Sequence, residues 1–321
     1  TALGNALGGT RRWYYGSEAD AIYDVLRLSK GMTYKAAVSG LPMGGAKSVI
    51  MMPHRDTPRT EAEAKAMGRF VNTFGGTYIA AEDVGVNIEY IDWMATETQH
   101  VMGGETVSRG GDPSPWTALG VFHGMRACLI HAGRGDDFSD MTVAIQGVGS
   151  VGQNLCKLLK EAGANLIVAD INKKKLDYAV ETYGCRGVHD DDILKIECDI
   201  LAPCALGGVI DGNMVEHLRC PILCGAANNI LDDPEEDAVA LKTAGIVYGT
   251  DFVVNAGGLI HLAGMHLGMS DSELQTKNDE IFCTTQQLLQ RSENASSTYA
   301  AAVEIAKQRI ADGQETEVHA G

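Results

Sequence analysis

Two lysines lie twelve residues apart in the segment KGMTYKAAVSGLPMGGAKSVI, which runs from Lys30 to Ile50. They are Lys35 and Lys47, and Gly44 and Gly45 come just before the second. Lys47 leads into an apolar run, so its stem leaves from semi-buried backbone. Apolar walls and a nearby second cation both disfavour the ammonium form and lower a lysine's pKa. A lysine tuned in this way can act as a general base near neutral pH. The other lysine can stay charged and hold a carboxylate. The same two residues also read as surface lysines whose stems lie along apolar surface. The glycines argue for a site, because backbone without Cβ lets a substrate come close. Further on, AAEDVG sets Glu82 and Asp83 at the end of a short apolar stretch. Asp83 at a strand end can exchange protons in a cleft. Alternatively, it or Asn87 can cap the helix that starts near Ile88. Glu82 is read as structural.

A third group is Gly147-Val148-Gly149-Ser150-Val151-Gly152, between the apolar run MTVAIQ and the helical pattern SVGQNLCKLLKEAG. In that context the first glycine allows a tight turn, the second admits a pyrophosphate and the third lets helix and strand pack closely. The helix N-terminus then offers free N–H groups to phosphate. Asp170 ends the next apolar run, 18 residues after Gly152. A carboxylate there can accept from the ribose hydroxyls and would repel a 2′-phosphate. No arginine lies beside it in VADINKKK, although Lys173 to Lys175 do. The cofactor read from this is NAD. The competing reading is a nucleotide-free doubly wound domain whose glycines only turn the chain.

The elements that must position these residues alternate between helix and strand. In the first part, helices are expected over 17–32, 60–74 and 88–99. The 17–32 helix has Ser17 as N-cap and Ile22, Val25, Leu26 and Ser29 at helical spacing. Short strands are expected over 48–52 and 78–81, and a Gly, Ser and Pro-rich loop from Gly103 to Pro115 approaches a domain boundary. From Met141 the alternation becomes regular, with almost wholly apolar strands. That pattern argues for a parallel sheet covered on both faces. The tail over 271–311 reads as helix with few core anchors.

Composition narrows the function classes. The chain has 321 residues, enough for two domains. With 45% hydrophobic and 21% charged residues it is ordinary globular usage, not disordered or coiled-coil. Its 26 basic and 42 acidic residues give a net charge of −16, which argues against nucleic-acid and membrane-surface partners. No apolar run is long enough to span a bilayer and no secretory signal is visible. The eight cysteines form no CxxC pair and read as free thiols in a reducing compartment, so a cytoplasmic location is expected. Cys220 and Cys224 lack a histidine cluster, and no metal site is expected. The 38 glycines, roughly 12% against a usual ~7%, suggest a ligand lying against main chain.

The ordered segments GMTYKAAVSGLPMGGAKSVI, AAEDVG, DPSPWTALGV, QGVGSVG, APCALGGVI, CGAANNIL and VVNAGGLIHLAG resemble the leucine/phenylalanine/valine branch of the amino-acid dehydrogenases. The resemblance spans Leu3 to Gly268. It implies reversible NAD-dependent oxidative deamination of an L-amino acid to a 2-oxo acid and ammonia, so the partners are small molecules. By motif position, Lys35 resembles the lysine that binds the substrate carboxylate. Lys47 resembles the lysine that activates water, and Asp83 the proton-transferring acid. Asn255 looks like a substrate contact, and Gly8 and Gly9 look like the backbone wall of the substrate site. Thr117, Ala226, Ala227 and Asn228 are expected beside the nicotinamide.

Where the glutamate enzymes of the superfamily hold a side-chain carboxylate, this chain has Leu7 and Leu262. A carboxylate buried there without a partner would be costly, so an apolar substrate is expected. Met43, Met102, Leu259 and Leu262 are the pocket candidates. LPMGGAKSVI and GLIHLAG look more like phenylalanine enzymes, and DPSPWTALGV more like leucine enzymes. The alternatives are a glutamate-type or unusual amino acid as substrate, or a non-catalytic NAD-binding protein. Three positions depart from the family pattern: Ala46 for a glycine, Val86 for a threonine and Asp112 for an asparagine. Family members also carry a helix and edge strands ahead of the ALGG motif, whereas this sequence starts at Thr1.

The expected architecture is α/β: a Rossmann-type doubly wound NAD domain plus a smaller α/β substrate and oligomerisation domain, with a cleft between them that closes on binding. The smaller domain is placed at 1–115 with the tail 291–321 packing back, and the NAD domain at 116–290. Family analogy adds a homo-oligomer.

Overall fold

Two parallel sheets organise the computed structural model, which describes residues 1–105, 111–205 and 207–320, with side chains to 314 in the last helix. Each sheet belongs to its own unit. The first unit takes Thr1–Asp112, Ile260–Ser270 and the chain from Ala306 onward; the second takes Pro113–Leu259 and Asp271–Ile305.

The first unit is built on a strand that the pattern reading did not single out, β1 (Ala6–Trp13). Its glycines and arginines hide the alternation that marks a strand. Around it in chain order come α1 (Glu18–Val38), β2 (Gly44–Gly45), β3 (Ser48–Met51), α2 (Glu61–Asn72), β4 (Tyr78–Ala81) and α3 (Ile88–Ala95). β1 pairs in parallel with β2, β3 and β4, so it sits at the centre of the sheet. Ser17 caps α1 by accepting from the Asp20 N–H, as expected, but the helix runs on past Met32 to Val38. Gly31 does not stop it, because Ala36, Ala37 and Val38 bury its last turn. Lys35 thereby falls in that last turn. Ile22 and Leu26 carry helical spacing but face outward, 50% and 65% exposed. The helix expected over 88–99 ends at Ala95, where Thr96 caps it. Asn87 caps its start by accepting from the Tyr90 N–H, so Asp83 is not needed for that role.

The second unit opens with α4 (Ser114–His131), which begins inside the expected loop. Pro113 and Pro115 mark its start and are tolerated in a first turn. It is apolar on most sides and therefore shows no period to read. Next come β5 (Thr142–Gln146), α5 (Ser150–Glu161), β6 (Asn165–Ala169), α6 (Lys173–Tyr183), β7 (Arg186–Gly187), α7 (Asp190–Ile193), β8 (Ile200–Pro203), α8 (Gly212–Val215), β9 (Ile222–Leu223), α9 (Glu236–Thr243), β10 (Val247–Tyr248) and α10 (Asp251–Val254). The strand order is β10-β9-β8-β5-β6-β7, all parallel. Numbered from β5 that is 6-5-4-1-2-3, the doubly wound dinucleotide-binding order. Val143 and Ile145 pack into one core while Ala144 packs into the other, so the sheet is covered on both faces.

Three helices complete the chain: α11 (Gly257–Leu267), α12 (Asp271–Ser292) and α13 (Thr298–Ala320). The tail is better anchored than expected, since α12 buries Leu274, Ile281, Leu288 and Leu289. It stays in the second unit through Ile305, and Ile260–Ser270 clusters with the first unit. Arg309 then donates to the carbonyls of Ala37 and Val38 at the end of α1. Residues 106–110 of the expected loop and Leu206 of the APCALGGVI motif lie outside the described residues. Among the described residues, no helix is long and apolar enough to cross a membrane.

Candidate active site

Lys47 sits between β2 and β3, and Asp83 follows β4, so both flank the central strand β1. Lys47 Nζ lies 3.1 Å from Asp83 Oδ1, and their side chains are only 8% and 17% exposed. The other carboxylate oxygen of Asp83 accepts from Arg11 Nε at 2.9 Å. Arg11 Nη1 reaches on to Asp24 Oδ2 in α1, at 3.1 Å. Tyr15 donates its hydroxyl to the same Asp24 oxygen at 2.8 Å. A chain of charges thus runs Lys47–Asp83–Arg11–Asp24. Burial pushes the Lys47 pKa below the ordinary lysine value; Asp83 pulls it back up and Arg11 pushes it down again. The cation that bears on Lys47 is Arg11, which the sequence reading did not name. Lys35 is buried in the last turn of α1 in the same unit.

Arg11, Asp24 and Tyr15 were missed in the sequence. Arg11 had one usable signal: it stands two residues after Gly9, on the same face of β1. Asp24 and Tyr15 gave none, because only the fold of α1 against β1 brings them to Arg11.

The glycines near the lysines answer to the chain itself. A Cβ on Gly8 would lie 1.6 Å from the Ala46 carbonyl oxygen, and one on Gly9 2.4 Å from that of Glu82. A Cβ on Gly45 would lie 2.0 Å from the Thr33 nitrogen. Close approach of neighbouring backbone already demands glycine at these positions, so their presence is no sign of a ligand. Leu7 and Met43 are fully buried. Met102 is half-buried and ties its N–H to the Ala80 carbonyl at 2.8 Å. Leu259 is buried and Leu262 half-buried along α11.

In the second unit the three glycines after β5 behave in three ways. Gly147 has φ +93°, and a Cβ there would meet Ala205 at 2.7 Å. At Gly149 a Cβ would meet nothing within 4 Å. At Gly152 it would lie 2.1 Å from the Gly147 carbonyl oxygen. The turn, the open approach and the tight helix packing are thus divided as a dinucleotide loop requires. Gly149 caps α5 without any side-chain bond, which leaves the N–H groups at Ser150 and Val151 directed at that open approach. Asp170, after β6, accepts from the Val148 N–H at 2.9 Å and the Asn172 N–H at 2.7 Å. Each of its oxygens keeps a lone pair for a ribose hydroxyl.

The residues expected beside the nicotinamide lie in the same unit, together with Asn255, the expected substrate contact. Asn255 Nδ2 donates to the carbonyls of Ala226 (3.1 Å) and Ala227 (3.4 Å) and to Asn228 Oδ1 (3.0 Å). Its own Oδ1 is buried without a partner, which leaves an acceptor for a ligand. The Thr117 hydroxyl caps back onto the Pro113 carbonyl at 3.2 Å and lies over Gly258, where a Cβ would come within 2.5 Å of it. β5 and β8 are neighbours at which the strand order reverses, and ligands bind outside the carboxyl ends of such a pair. An open phosphate approach and an acidic ribose partner fit a dinucleotide. Cys220 and Cys224 are free and buried, as expected.

Comparison with known proteins agrees with this geometry. Residues 1–100 match the family model described as "Glu/Leu/Phe/Val dehydrogenase, dimerisation domain". Residues 112–173 and 166–317 match "Glutamate/Leucine/Phenylalanine/Valine dehydrogenase". A leucine dehydrogenase from Thermoactinomyces intermedius is 44% identical over 313 residues, 97% of this chain and 85% of that protein. A valine dehydrogenase from Streptomyces coelicolor is 40% identical over 321 aligned residues, 98% of this chain and 87% of that protein. The crystal structure of an L-tryptophan dehydrogenase from Nostoc punctiforme superposes with a TM-score of 0.85 at 34% identity, covering 98% of this chain and 90% of that one. The chain therefore belongs to the Glu/Leu/Phe/Val dehydrogenase family, in its leucine/phenylalanine/valine branch, and is an amino-acid dehydrogenase.

Proposed function

We propose that the protein catalyses reversible, NAD-dependent oxidative deamination of an apolar L-amino acid to its 2-oxo acid and ammonia. The observation that carries the reading is the buried Lys47–Asp83 pair, whose lysine has its ammonium form disfavoured by burial. Accepting the substrate's hydride is the chemistry that a bound nicotinamide contributes. Lys35 holds the substrate carboxylate. Lys47, once neutral, takes a proton from the water that attacks the substrate's imine carbon, and Asp83, in contact with Lys47, passes that proton on to the departing amine. Asn255, through its unpartnered Oδ1, faces the substrate, and Gly8 and Gly9 form the backbone wall. Thr117, Ala226, Ala227 and Asn228 flank the nicotinamide. Gly147, Gly149, Ser150, Val151 and Gly152 receive the pyrophosphate.

Asp170 supports NAD over NADP, since a 2′-phosphate would meet its carboxylate. Leu7, Met43, Met102, Leu259 and Leu262 support an apolar side chain; none can pair a substrate's side-chain carboxylate. The dimerisation-domain description and the outward Ile22, Tyr23 and Leu26 of α1 support a homo-oligomer. Eight free thiols support a reducing, cytoplasmic location.

The test follows reduced cofactor by its near-ultraviolet absorbance. Leucine, valine, phenylalanine, tryptophan and glutamate are each supplied with NAD and with NADP at alkaline pH. Turnover of an apolar amino acid with NAD is the expected result. A preference for glutamate or NADP would overturn the substrate or cofactor assignment. Silence across the panel, from protein that binds NAD, would overturn the reaction.

A further inference from the structure

Asp83 stands between two cations of different kinds. Lys47 can lose its proton; Arg11 cannot, since a guanidinium stays charged in any protein. We infer that Arg11 is the positioning residue of this site: a permanent counter-ion that holds Asp83 and lets Lys47 discharge without leaving a buried carboxylate alone. The inference rests on the proposed roles of Lys47 and Asp83.

The geometry gives this its content. Lys47 is on one oxygen of Asp83 at 3.1 Å and Arg11 Nε on the other at 2.9 Å, so each cation has its own acceptor. Without Arg11, deprotonating Lys47 would strand a carboxylate that is only 17% exposed. Lys47 would then hold its proton to higher pH. Arg11 is itself fixed from behind. Asp24 takes its Nη1 and is in turn held by Tyr15 and, at 3.4 Å, by Arg27. The groups that bear on Lys47 are therefore Asp83 beyond β4, Arg11 from β1 and Asp24 from α1. Tyr15 and Arg27 bear on it through Asp24. The Tyr78 hydroxyl in β4 is bound to Ser48 beside Lys47 and to the Gly8 carbonyl. Burial, and with it Asp83's charge, raises the Tyr78 pKa, so Tyr78 stays neutral through the working range. Asp24 attracts the Lys47 proton and Arg11 repels it. Substitution of the two must then move Lys47 in opposite directions.

The experiment uses the full chain and two readouts. The first is competitive acetylation of Lys47 by trace acetic anhydride across pH, read by mass spectrometry without substrate or cofactor. The second is the acid limb of kcat/KM against pH in the deamination direction. Arg11→Gln should raise the Lys47 midpoint and the acid limb together by about one pH unit, with the rate recovering above the limb. At a fixed pH below the limb that is roughly a tenfold loss of rate. Arg11→Lys, which keeps a charge, should cancel most of that shift. Asp24→Asn should move the midpoint the other way, to lower pH, which also covers the case that Arg11→Gln does not fold. Unshifted midpoints in folded variants, or shifts of the same sign for both, would overturn the inference. If the acetylation midpoint moves and the rate limb does not, the counter-ion role stands and the reading of Lys47 as the base falls.

Discussion

A lysine ammonium that is 8% exposed beside one carboxylate and one guanidinium is held against its own solvation. Its folded-state pKa lies below the unfolded value, first because of burial. The sign follows from linkage: the charged form is penalised in the fold, fully so below the folded pKa, and the penalty fades as pH rises from the folded pKa to the unfolded one. Near neutral pH Lys47 therefore works against stability, a cost that its proposed role as base would explain. Lys47→Met removes the base and the penalty together, and Asp83 keeps Arg11 as its partner. The expected outcome is a turnover loss of about 10²–10⁴ with a melting temperature equal to or above the parent's. A fall of several degrees would show that the pair stabilises the fold. Lys47 and Asp83 were legible in the sequence because their motifs put them at the ends of apolar runs. Which partners tune them was not. Asp24 and Tyr15 reach the pair only through the packing of α1 on β1, a tertiary fact with no local signature.

Glycine separates the two kinds of element. At Gly45 a Cβ would meet the Thr33 nitrogen at 2.0 Å and the Met32 carbonyl carbon at 2.2 Å, all of it backbone of α1. Backbone cannot yield as a flexible side chain can. Gly45→Ala should destabilise the first unit by about 3 kcal/mol or more, at the upper end for overpacking. Thermal or denaturant unfolding measures it. Gly149→Ala meets open space, so it should unfold like the parent yet bind NAD at least tenfold more weakly by calorimetry, because the methyl would occupy the approach proposed for the pyrophosphate. If both variants lost stability alike, the division between packing and ligand glycines would be wrong. The second unit was readable element by element because its buried parallel strands are continuous apolar runs with turn signals between them. β1 was not, because its two inner glycines and two arginines carry the site and the packing. α4 was not either, because a helix buried on most sides has no polar stripe to mark its period.

At the scale of the whole chain, 42 acidic residues against 26 basic leave 16 negative charges in excess. Folding concentrates that charge, and the unfolded chain spreads it, so self-repulsion works against the native state. Attraction in the surface ion pairs works the other way. A pair such as Lys173–Asp177 is well exposed, and pairs of that kind contribute about 0–1 kcal/mol each. Salt screens both effects, but not equally. Raising ionic strength from about 0.01 to 1 M shortens the Debye length from about 30 to 3 Å. The surplus charges are separated by distances that this range covers, whereas ion-paired atoms lie about 3 Å apart and lose a smaller share of their attraction. The network around Lys47 is buried and is screened less still. Relief of repulsion should therefore win. The melting temperature in sodium chloride should rise by roughly 2–4 °C across that range, the shift that about 1 kcal/mol gives a domain of this size. A nucleic-acid-binding protein, which lives by its basic face, would lose affinity over the same range. If the melting temperature falls instead, paired charges rather than surplus charge dominate the electrostatics of this fold.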